Sequence, residues 1–329
     1  MFKATTIKRG SNLSYKFVLS KWFALGNELK THIVLNPYAG RWKGAKLYHK
    51  LIQYVRHLKY LERFQVTTAP GEAIQIARDT PAELVVAAGG DGTVNEIVNG
   101  ILQSNSEKLL GVIPIGSGND FAKMLNLKPF KIKVAIESIK RRRITTSDVG
   151  IIRFIDEFGN SGERFFINGV GVGFDAVVAN ESRKIKHLRG ILLYLLALLK
   201  SLKDYETPEM EVYIDGKKIK EKIFLVAVGN GKSAGGGFLL TPDAKINDAL
   251  LDVCLVSDLS ILRVLQVLPT VLKGKHIQYP EVTMFKAKEI EISSNSNLTM
   301  HADGEIIGTS LRWIKISIIP SAVEVISNI

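Results

Sequence analysis

The sequence has little of three things on which many protein classes depend: cysteine, long apolar runs and clustered histidine. Cys254 is the single cysteine, which excludes an internal disulfide and a cysteine-based zinc site and is compatible with a reducing compartment. No stretch approaches the roughly 18 consecutive apolar residues that a membrane-spanning helix needs, and the longest rich run is Ile191 to Leu199. The six histidines lack the H-E-x-x-H spacing that puts two metal ligands on one helix face. A transition-metal enzyme is therefore disfavoured.

Basic residues outnumber acidic ones, 44 to 32, and the net charge of +12 favours an anionic partner: nucleic acid, a nucleotide or an acidic membrane surface. We expect no nucleic acid, because the basic residues form no recognisable module with interleaved aromatics. Residues 1–30 hold six basic residues against the single acid Glu28. Lys16 and Lys21 interrupt the continuous apolar region that a secretory signal peptide needs, so this segment is not predicted to be one. This basic N-terminal extension fits an amphipathic segment on an anionic bilayer, a locally docked tail or an organellar targeting segment.

From about residue 31 the pattern alternates between short apolar strands and amphipathic helices. Strands are predicted at His32–Leu35, Phe64–Thr68, Leu84–Ala88 and Leu109–Pro114, with helices between them. The order β-α-β-α-β predicts a doubly wound, Rossmann-like nucleotide domain over 31–145, whose strand ends are available for a ligand.

The periodicity changes after the basic run Lys140–Arg143. Short alternating segments then predict antiparallel strands, and only two helical stretches, about Arg183–Lys203 and Ile261–Lys273, interrupt them. The second domain, 146–329, is predicted to be an antiparallel β-sandwich with a few helices. The fold class is therefore α/β followed by all-β.

The strongest local motif is Gly89-Gly90-Asp91-Gly92-Thr93, which stands between a buried strand and a helix. Glycines let backbone N–H groups approach an anion, and a helix N-terminus favours phosphate. Thr93 and Glu96 have the spacing of a capping box, which we expect to fix the helix start. Asp91 would repel a phosphate unless it holds Mg²⁺ or accepts a proton. A tight turn with a helix cap explains the glycines but not Asp91.

A second loop of the same kind, Gly116-Ser117-Gly118-Asn119-Asp120, follows the next apolar strand. Neighbouring strands of a parallel sheet end at the same edge, so both loops are expected to point their backbone donors at one polyphosphate site. Asn36 to Gly40 end the first strand at that edge and are expected to close the pocket over the nucleotide.

These motifs, with the run Gly235-Gly236-Gly237, Pro242-Asp243-Ala244 and Asp303-Gly304-Glu305, resemble in order and spacing the diacylglycerol kinase catalytic family of soluble bacterial lipid kinases, from about residue 31 to the C-terminus. Gly89 to Thr93 alone would also fit the related NAD kinases. The resemblance implies cofactor-binding positions that contact ATP: Asn36, Pro37, Tyr38, Ala39, Gly40, Thr67, Gly89, Gly90, Asp91, Gly92, Thr93, Asn95, Glu96, Ser117, Asn119 and Asp120.

The resemblance also implies the metal and catalytic roles. Asp91 would organise a catalytic Mg²⁺ through water, with support from Asp148. A structural Mg²⁺ would use the carbonyls of Lys245 and Leu250 and the carboxylate of Asp248. Ala249 stands where the family usually has glycine, which puts this second metal in doubt.

Glu305 matches the family's general base. By this resemblance the chain is an ATP- and Mg²⁺-dependent lipid kinase that phosphorylates the hydroxyl of diacylglycerol to give phosphatidic acid. The alternatives are a kinase for another lipid, such as a sphingoid base or glycolipid, a kinase for a soluble hydroxyl compound, and a non-catalytic nucleotide-binding regulator. The expected location is cytoplasmic and peripheral to an anionic membrane that supplies the lipid. Exposed edge strands make a homodimer a further expectation.

Overall fold

The computed structural model describes residues 29–328 except positions 57, 59 and 186–190, so nearly all of the basic N-terminal extension lies outside the described residues. The first domain alternates strands and helices as predicted. Its elements are β1 (Thr31–Leu35), α1 (Ala39–Val55), β2 (Leu61–Val66), α2 (Glu72–Asp79), β3 (Leu84–Gly89), α3 (Asp91–Gln103), β4 (Leu109–Pro114), α4 (Asp120–Met124) and α5 (Ile132–Arg141).

The strands of this domain are parallel and lie in the order β2-β1-β3-β4. Every residue of β1, β3 and β4 is buried, because helices cover both faces of the sheet. The predicted doubly wound domain is confirmed. All four strands run in the same direction, so the loops that follow them meet at one edge.

The second domain is largely antiparallel, and its predicted β-sandwich is confirmed. Its elements are β5 (Arg143–Asp156), β6 (Ser161–Phe166), β7 (Gly169–Gly173), α6 (Phe174–Lys184), α7 (Ile191–Asp204), β8 (Glu209–Ile214), β9 (Lys217–Gly229), β10 (Leu251–Ser257), α8 (Ile261–Val271), a 3-10 helix (Lys275–Gln278), β11 (Val282–Ala287), β12 (Glu289–Ala302) and β13 (Glu305–Ser327).

The long strand β12 connects two parts of the sandwich. Its residues 290–293 pair with β8, and residues 300–302 pair with β7, so the strand changes partners along its length. A buried aliphatic cluster that includes Val172, Val226, Ile292 and Ile314 fills the space between the strands. The single helix predicted over Arg183–Lys203 is wrong, because α6 ends at Lys184 and α7 begins at Ile191.

The C-terminal end of β13 returns to the first domain. Glu324 and Val325 pair in parallel with Leu109 and Leu110 of β4. The side chains of Val323, Val325 and Ile326 belong to the hydrophobic core of the first domain. The last strand therefore joins the two domains. Its final residues belong to the core of the first domain, although they come long after the domain boundary predicted near residue 145.

Candidate active site

The predicted phosphate loops meet at the carboxyl edge of the parallel sheet. Gly90 follows β3 and Gly116 follows β4, and these strands are paired in register through Gly89 and Pro114. A Cβ on Gly90 would lie 3.0 Å from the Cα of Gly116, which is tighter than ordinary contact. Only glycine at both positions lets the two backbones lie side by side.

Helix α3 begins without a side-chain cap, since its N-cap is Gly90. The predicted capping box is wrong: Thr93 lies inside the helix and accepts a hydrogen bond from Asn36 Nδ2 (3.1 Å). Glu96 instead accepts bonds from the backbone N–H groups of Gly71 and Ala73 at the start of α2. Because no side chain satisfies the first N–H groups of α3, this terminus is left available for an anion.

Asp91 is the first residue of α3 and lies in a crowded electrostatic environment. Phe121 donates its backbone N–H to Oδ1 (3.1 Å). Burial and the nearby carboxylates of Asp120 and Asp303 raise the pKa of Asp91 to about 6. Oδ2 lies 2.8 Å from the point that a Cβ on Gly118 would occupy, and Asp120 Oδ2 lies 3.4 Å from the same point. The absence of a side chain at Gly118 lets the two carboxylates and the Cα of Gly236 approach this loop closely.

Asp120 connects the site to the second domain. Its side chain is 4% exposed and accepts hydrogen bonds from Ser233 Oγ (2.8 Å) and from the backbone N–H of Gly236 (2.7 Å). Lys123 forms an ion pair with it at 2.8 Å. The predicted glycine run is thus held against the second phosphate loop by one buried carboxylate.

Asp303 connects the two domains from the other side. It accepts a hydrogen bond from Asn95 Nδ2 (2.7 Å) and three more from the backbone N–H groups of residues 167–169. Burial nevertheless raises the pKa of its carboxyl group. These bonds fix the Asp303–Gly304 turn and with it Glu305, whose Oε1 lies 3.9 Å from the position of a Cβ on Gly92.

Glu305 therefore stands beside the first phosphate loop. Its Oε2 accepts a bond from Arg164 at 2.6 Å. Arg164 also donates to Asn95 Oδ1 (3.2 Å), so it spans the two domains. Arg164 was missed by the sequence analysis, because nothing in a β-strand pattern indicates a partner 141 residues away.

The other predicted nucleotide positions lie at the same edge but differ in accessibility. Tyr38 is exposed and its N–H donates to Asn36 Oδ1 (2.9 Å), while Thr67, at the end of β2, is buried. Ser117, within the second loop, is exposed. Asn119 is buried and closes its own loop through two bonds with the backbone of Gly116. Asn119 therefore shapes the loop and is not a surface that a nucleotide can reach.

The residues predicted to hold a structural metal lie elsewhere in the second domain. Asp248 Oδ2 is 3.4 Å from Lys286 Nζ, and its Oδ1 accepts the N–H of Leu250 (3.3 Å). Asp148 accepts the backbone N–H groups of Ala249 and Ser321. The described residues include no group of three or more histidine, cysteine or acidic side chains that could hold a metal.

This donor set fits a structural Mg²⁺ poorly. The Lys286 ammonium lies 3.4 Å from Asp248 and 2.7 Å from Asp252, so a cationic side chain already stands beside the carboxylate that was predicted to bind the metal. Burial and the nearby Asp248 carboxylate raise the pKa of Asp148, so Asp148 lies beside the predicted structural metal site. The carboxylates that act on Asp91 are Asp120 and Asp303, so Asp148 is not part of the surroundings of Asp91. Ala249 has a φ of 60°, so the backbone keeps the left-handed conformation that glycine would favour.

An apolar cavity lies in the second domain between the sheet and helices α6, α7 and α8. It encloses about 630 Å³ of empty space, including its open mouth. Its walls include Phe174, Leu198, Phe224, Val264 and Leu268. No sequence pattern predicts this cavity, because apolar residues that line a cavity have the same pattern as those that fill a core.

Comparison with known families gives two matches, which follow one another along the chain. The diacylglycerol kinase catalytic domain family matches residues 30–152. The family described as the YegS C-terminal NAD kinase beta sandwich-like domain matches residues 168–327. The two matches cover the phosphate loops and the turn that carries Glu305, respectively.

Individual relatives agree with these matches. A diacylglycerol kinase of Bacillus subtilis (strain 168) is 30% identical over 283 residues, which are 85% of this chain and 90% of the relative. A diacylglycerol kinase of Staphylococcus carnosus (strain TM300) is 28% identical over 283 residues, 85% of this chain and 89% of its own. In fold, the chain resembles a diacylglycerol kinase structure from Bacillus anthracis str. Sterne (22% identity, TM-score 0.65, 91% of this chain and 97% of the other). It also resembles yeast NADH kinase complexed with NADH (12% identity, TM-score 0.56, 92% and 85%).

Proposed function

The chain belongs to the diacylglycerol kinase family, and from this premise we propose that it transfers the γ-phosphate of ATP, in the presence of Mg²⁺, to the hydroxyl of diacylglycerol, giving phosphatidic acid. One observation carries the proposal most directly. The uncapped N-terminus of α3, the second glycine loop, Asp91 and Glu305 converge at one sheet edge between the two domains.

Backbone groups supply the phosphate site in this proposal. The free N–H groups at the start of α3, together with the loop around Ser117, face the open edge of the sheet, and the helix dipole favours negative charge there. Phosphoryl transfer depends mainly on such positioning and on charge neutralisation. The site therefore needs little covalent chemistry from side chains.

Mg²⁺ fits Asp91. Burial and the carboxylates of Asp120 and Asp303 raise the pKa of Asp91, so a bound divalent cation would stabilise its charged form, and Mg²⁺ in phosphoryl-transfer sites is typically bound by one or two carboxylates plus the substrate phosphates. When bound, Mg²⁺ would neutralise charge on the phosphates. Asp120 lies close enough to add to the negative field but is already bonded to Ser233 and Gly236.

Glu305 is the proposed general base. Its Oε2 is held by Arg164, while Oε1 faces Gly92 of the first loop. A carboxylate fixed in this way can accept the proton of the lipid hydroxyl as the phosphate is transferred. Asp303 positions it, since four hydrogen bonds fix the turn on which Glu305 stands.

The apolar cavity is the proposed site for the hydrocarbon part of the lipid. Its walls are almost entirely aliphatic and aromatic, which suits the hydrocarbon part of a lipid. The exposed faces of α7 and α8, which border this cavity, carry large apolar side chains: Leu195, Leu199, Ile261, Leu262 and Leu265. We define these five residues as the rim. Among the described residues no helix is long and apolar enough to cross a bilayer, so contact at the rim would be interfacial.

The membrane contact can be tested by flotation with vesicles of phosphatidylcholine and phosphatidylglycerol. Leu262, 74% exposed, loses its apolar contact in Leu262→Glu, which should weaken binding by at least about tenfold. Phe158→Glu is the control, because Phe158 is 80% exposed in the turn after β5, away from the rim. Equal loss in both variants would argue against the rim as the contact surface.

The catalytic proposal is tested by transfer of labelled γ-phosphate from ATP to lipids in mixed micelles, with Mg²⁺ or with EDTA. Diacylglycerol, sphingosine, ceramide and a no-lipid control are compared. Labelled phosphatidic acid that depends on Mg²⁺ supports the proposal. Label on a different lipid would change the substrate but keep the mechanism, and absence of label with measurable ATP binding would favour a nucleotide-binding regulator.

A further inference from the structure

Arg164 reaches from β6 of the second domain to the start of α3 in the first. Its Nη2 atom donates to Asn95 Oδ1 at 3.2 Å and to Glu305 Oε2 at 2.6 Å. Asn95 comes three residues after Gly92 and therefore lies on the same face of α3. The other carboxylate oxygen of Glu305, Oε1, lies 3.9 Å from the position of a Cβ on Gly92. The guanidinium thus stands beside both the first phosphate loop and the proposed base.

Most of the hydrogen-bonding capacity of Arg164 is unused. A guanidinium has five N–H donors, and both of its bonds come from Nη2. Nε and Nη1, which carry the other donors, have no hydrogen-bond partner among the described residues. The side chain is 29% exposed and so is partly open to a ligand. A planar fork of N–H donors matches the geometry of phosphate oxygens better than any other side chain does.

The surroundings of Arg164 fix its orientation. Asn95 is 2% exposed, and its Nδ2 donates to Asp303 Oδ2 at 2.7 Å and to the carbonyl of Phe165 at 3.1 Å. Asn99, one turn further along α3, donates to Asn95 Oδ1 at 3.1 Å. The amide that holds the guanidinium is therefore itself held by both domains. A cation fixed in this way needs no reorganisation when charge develops on a reacting phosphate.

Two further cationic side chains near the site are placed differently. Lys123 Nζ donates to Asp120 Oδ1 at 2.8 Å, at the second phosphate loop. Arg183, near the end of α6, is exposed and donates to the carbonyl of Gly304 at 3.2 Å. Arg164 differs from both, because it is bonded to the proposed base and keeps free donors beside the first loop.

We propose that Arg164 is a catalytic residue, whose Nε and Nη1 donors bind oxygens of the γ-phosphate while Nη2 holds Glu305. This inference rests on the proposed kinase function and deepens it. In the transfer step the lipid hydroxyl oxygen forms a bond to the γ-phosphorus, and the hydroxyl proton passes to Glu305. The bond from that phosphorus to the bridging oxygen breaks, and ADP leaves with its electron pair. The guanidinium stabilises the negative charge that the transferred group spreads over its oxygens.

Nucleotide binding tests this contact without turnover. Isothermal titration calorimetry in Mg²⁺ compares ADP with AMP-PNP, a non-hydrolysable ATP analogue that keeps the γ-phosphate, for the wild type and Arg164→Gln. The variant should bind AMP-PNP at least about tenfold more weakly, since a charge-assisted bond is lost, and should bind ADP within about twofold of the wild type. Equal loss for the two nucleotides, or no loss for either, overturns the inference.

Two other variants assign the effect to this guanidinium. Arg164→Lys keeps the charge but replaces the planar fork with one ammonium, so its AMP-PNP affinity should lie between those of Arg164→Gln and the wild type. An affinity no higher than that of Arg164→Gln would count against a phosphate contact. Arg153→Gln is the matched control, because Arg153 forms the same kind of ion pair, with Glu163 at 2.8 Å, on the exposed β5–β6 ribbon. It should bind both nucleotides as the wild type does.

The outcomes also separate the phosphate contact from a role in holding Glu305 and from the kinase function. If Arg164 only held the base, Arg164→Gln would lower kcat with lipid and keep the wild-type affinity for AMP-PNP. That result overturns the inference and retains the lipid kinase. Absence of label on every lipid, together with a selective loss of AMP-PNP affinity in Arg164→Gln, overturns the lipid kinase and retains Arg164 as the contact of the γ-phosphate.

Discussion

At the scale of single residues, the site is built from carboxylates whose surroundings differ. Asp91 is buried near Asp120 and Asp303, which destabilises its charged form. Glu305 is instead paired with Arg164 at the domain boundary. The structure therefore separates a carboxylate that lies among like charges from one that has an arginine partner.

The environment of Asp91 predicts that Asp91→Asn stabilises the Mg²⁺-free protein at pH 8. The folded pKa of about 6 lies above the unfolded value near 3.8, so the charged carboxylate costs stability at every pH above the folded pKa. Two pKa units correspond to about 3 kcal/mol of unfolding free energy. The gain should shrink as the pH falls from 6 to 4 and vanish below 4, where the wild-type side chain is protonated in both states. Urea unfolding in EDTA across this pH range measures it.

Asp156→Asn is the matched control of opposite sign. Hydrogen bonds from Asn160 and from nearby backbone N–H groups hold the pKa of Asp156 below its usual range. Its replacement should reduce stability at pH 8. An Asp91→Asn protein no more stable than the wild type at pH 8 would contradict the account of burial and like-charge repulsion at Asp91.

Glu305→Gln tests the proposed base. The amide cannot accept a proton, so kcat should fall by about 10²- to 10⁴-fold while ATP binding is retained. Glu163→Gln is the control, because Glu163 also forms an arginine ion pair, with Arg153 at 2.8 Å, but on the exposed β5–β6 ribbon. Near-normal kcat in Glu305→Gln would remove this residue from the chemistry.

Residues in the phosphate loops were predictable because glycine and aspartate between a strand and a helix indicate a phosphate site from the local sequence alone. Arg164 was not, since its partner Glu305 is distant in the chain. Glu96 shows the same limit. Its spacing from Thr93 fits a capping box, but the tertiary fold directs it to the neighbouring helix α2.

At the scale of elements, the turn that contains Ala249 shows the cost of alanine at a position where the family usually has glycine. Ala249 adopts a φ of 60°, which costs an L-residue about 1–2 kcal/mol. Ala249→Gly removes this cost, while the greater freedom of glycine in the unfolded chain offsets part of the gain. We expect a net stabilisation of about 0.5–1 kcal/mol in the absence of metal, measured by urea unfolding.

Ala69→Gly is the control, because Ala69 lies in a surface turn and does not have a positive φ. The free energy of unfolding should fall by about 0.4–1 kcal/mol in this variant, since here glycine only increases the conformational entropy of the unfolded chain. Destabilisation by Ala249→Gly would mean that the left-handed conformation is not adopted at this turn.

Most strands and helices were predictable because their periodicity is strong. The strand β5 was not, although it is 14 residues long. Its burial changes from intermediate to fully buried and back along the strand, because it pairs with β13 through both domains, so no simple alternation appears in its sequence.

At the scale of the whole molecule, the two domains share a strand. The last residues of β13 complete the core of the first domain, although the chain has by then built the entire sandwich. Hydrophobic periodicity describes residues that are close in sequence, so it cannot predict that the end of β13 pairs with β4 of the first domain. The connection also fixes the sandwich, and with it Glu305, relative to the phosphate loops.

Ile326→Ala should therefore destabilise the first domain, although Ile326 is far from that domain in sequence. The side chain is 1% exposed within that core, and such a truncation costs about 2–5 kcal/mol. Ile155→Ala is the control, since Ile155 in β5 is 38% exposed and should cost less than about 1 kcal/mol. Both are measured by urea unfolding, and equal effects would contradict the shared core.

The central claim is that Asp91 and the two glycine loops transfer phosphate from ATP to a lipid hydroxyl. Its most direct test is the rate at which label from γ-labelled ATP appears in phosphatidic acid, with diacylglycerol micelles and Mg²⁺, for the wild type and Asp91→Asn. We predict transfer by the wild type and a loss of at least about 100-fold in the variant, which remains folded and at least as stable. Equal transfer by both proteins, or none by the wild type, would contradict the claim.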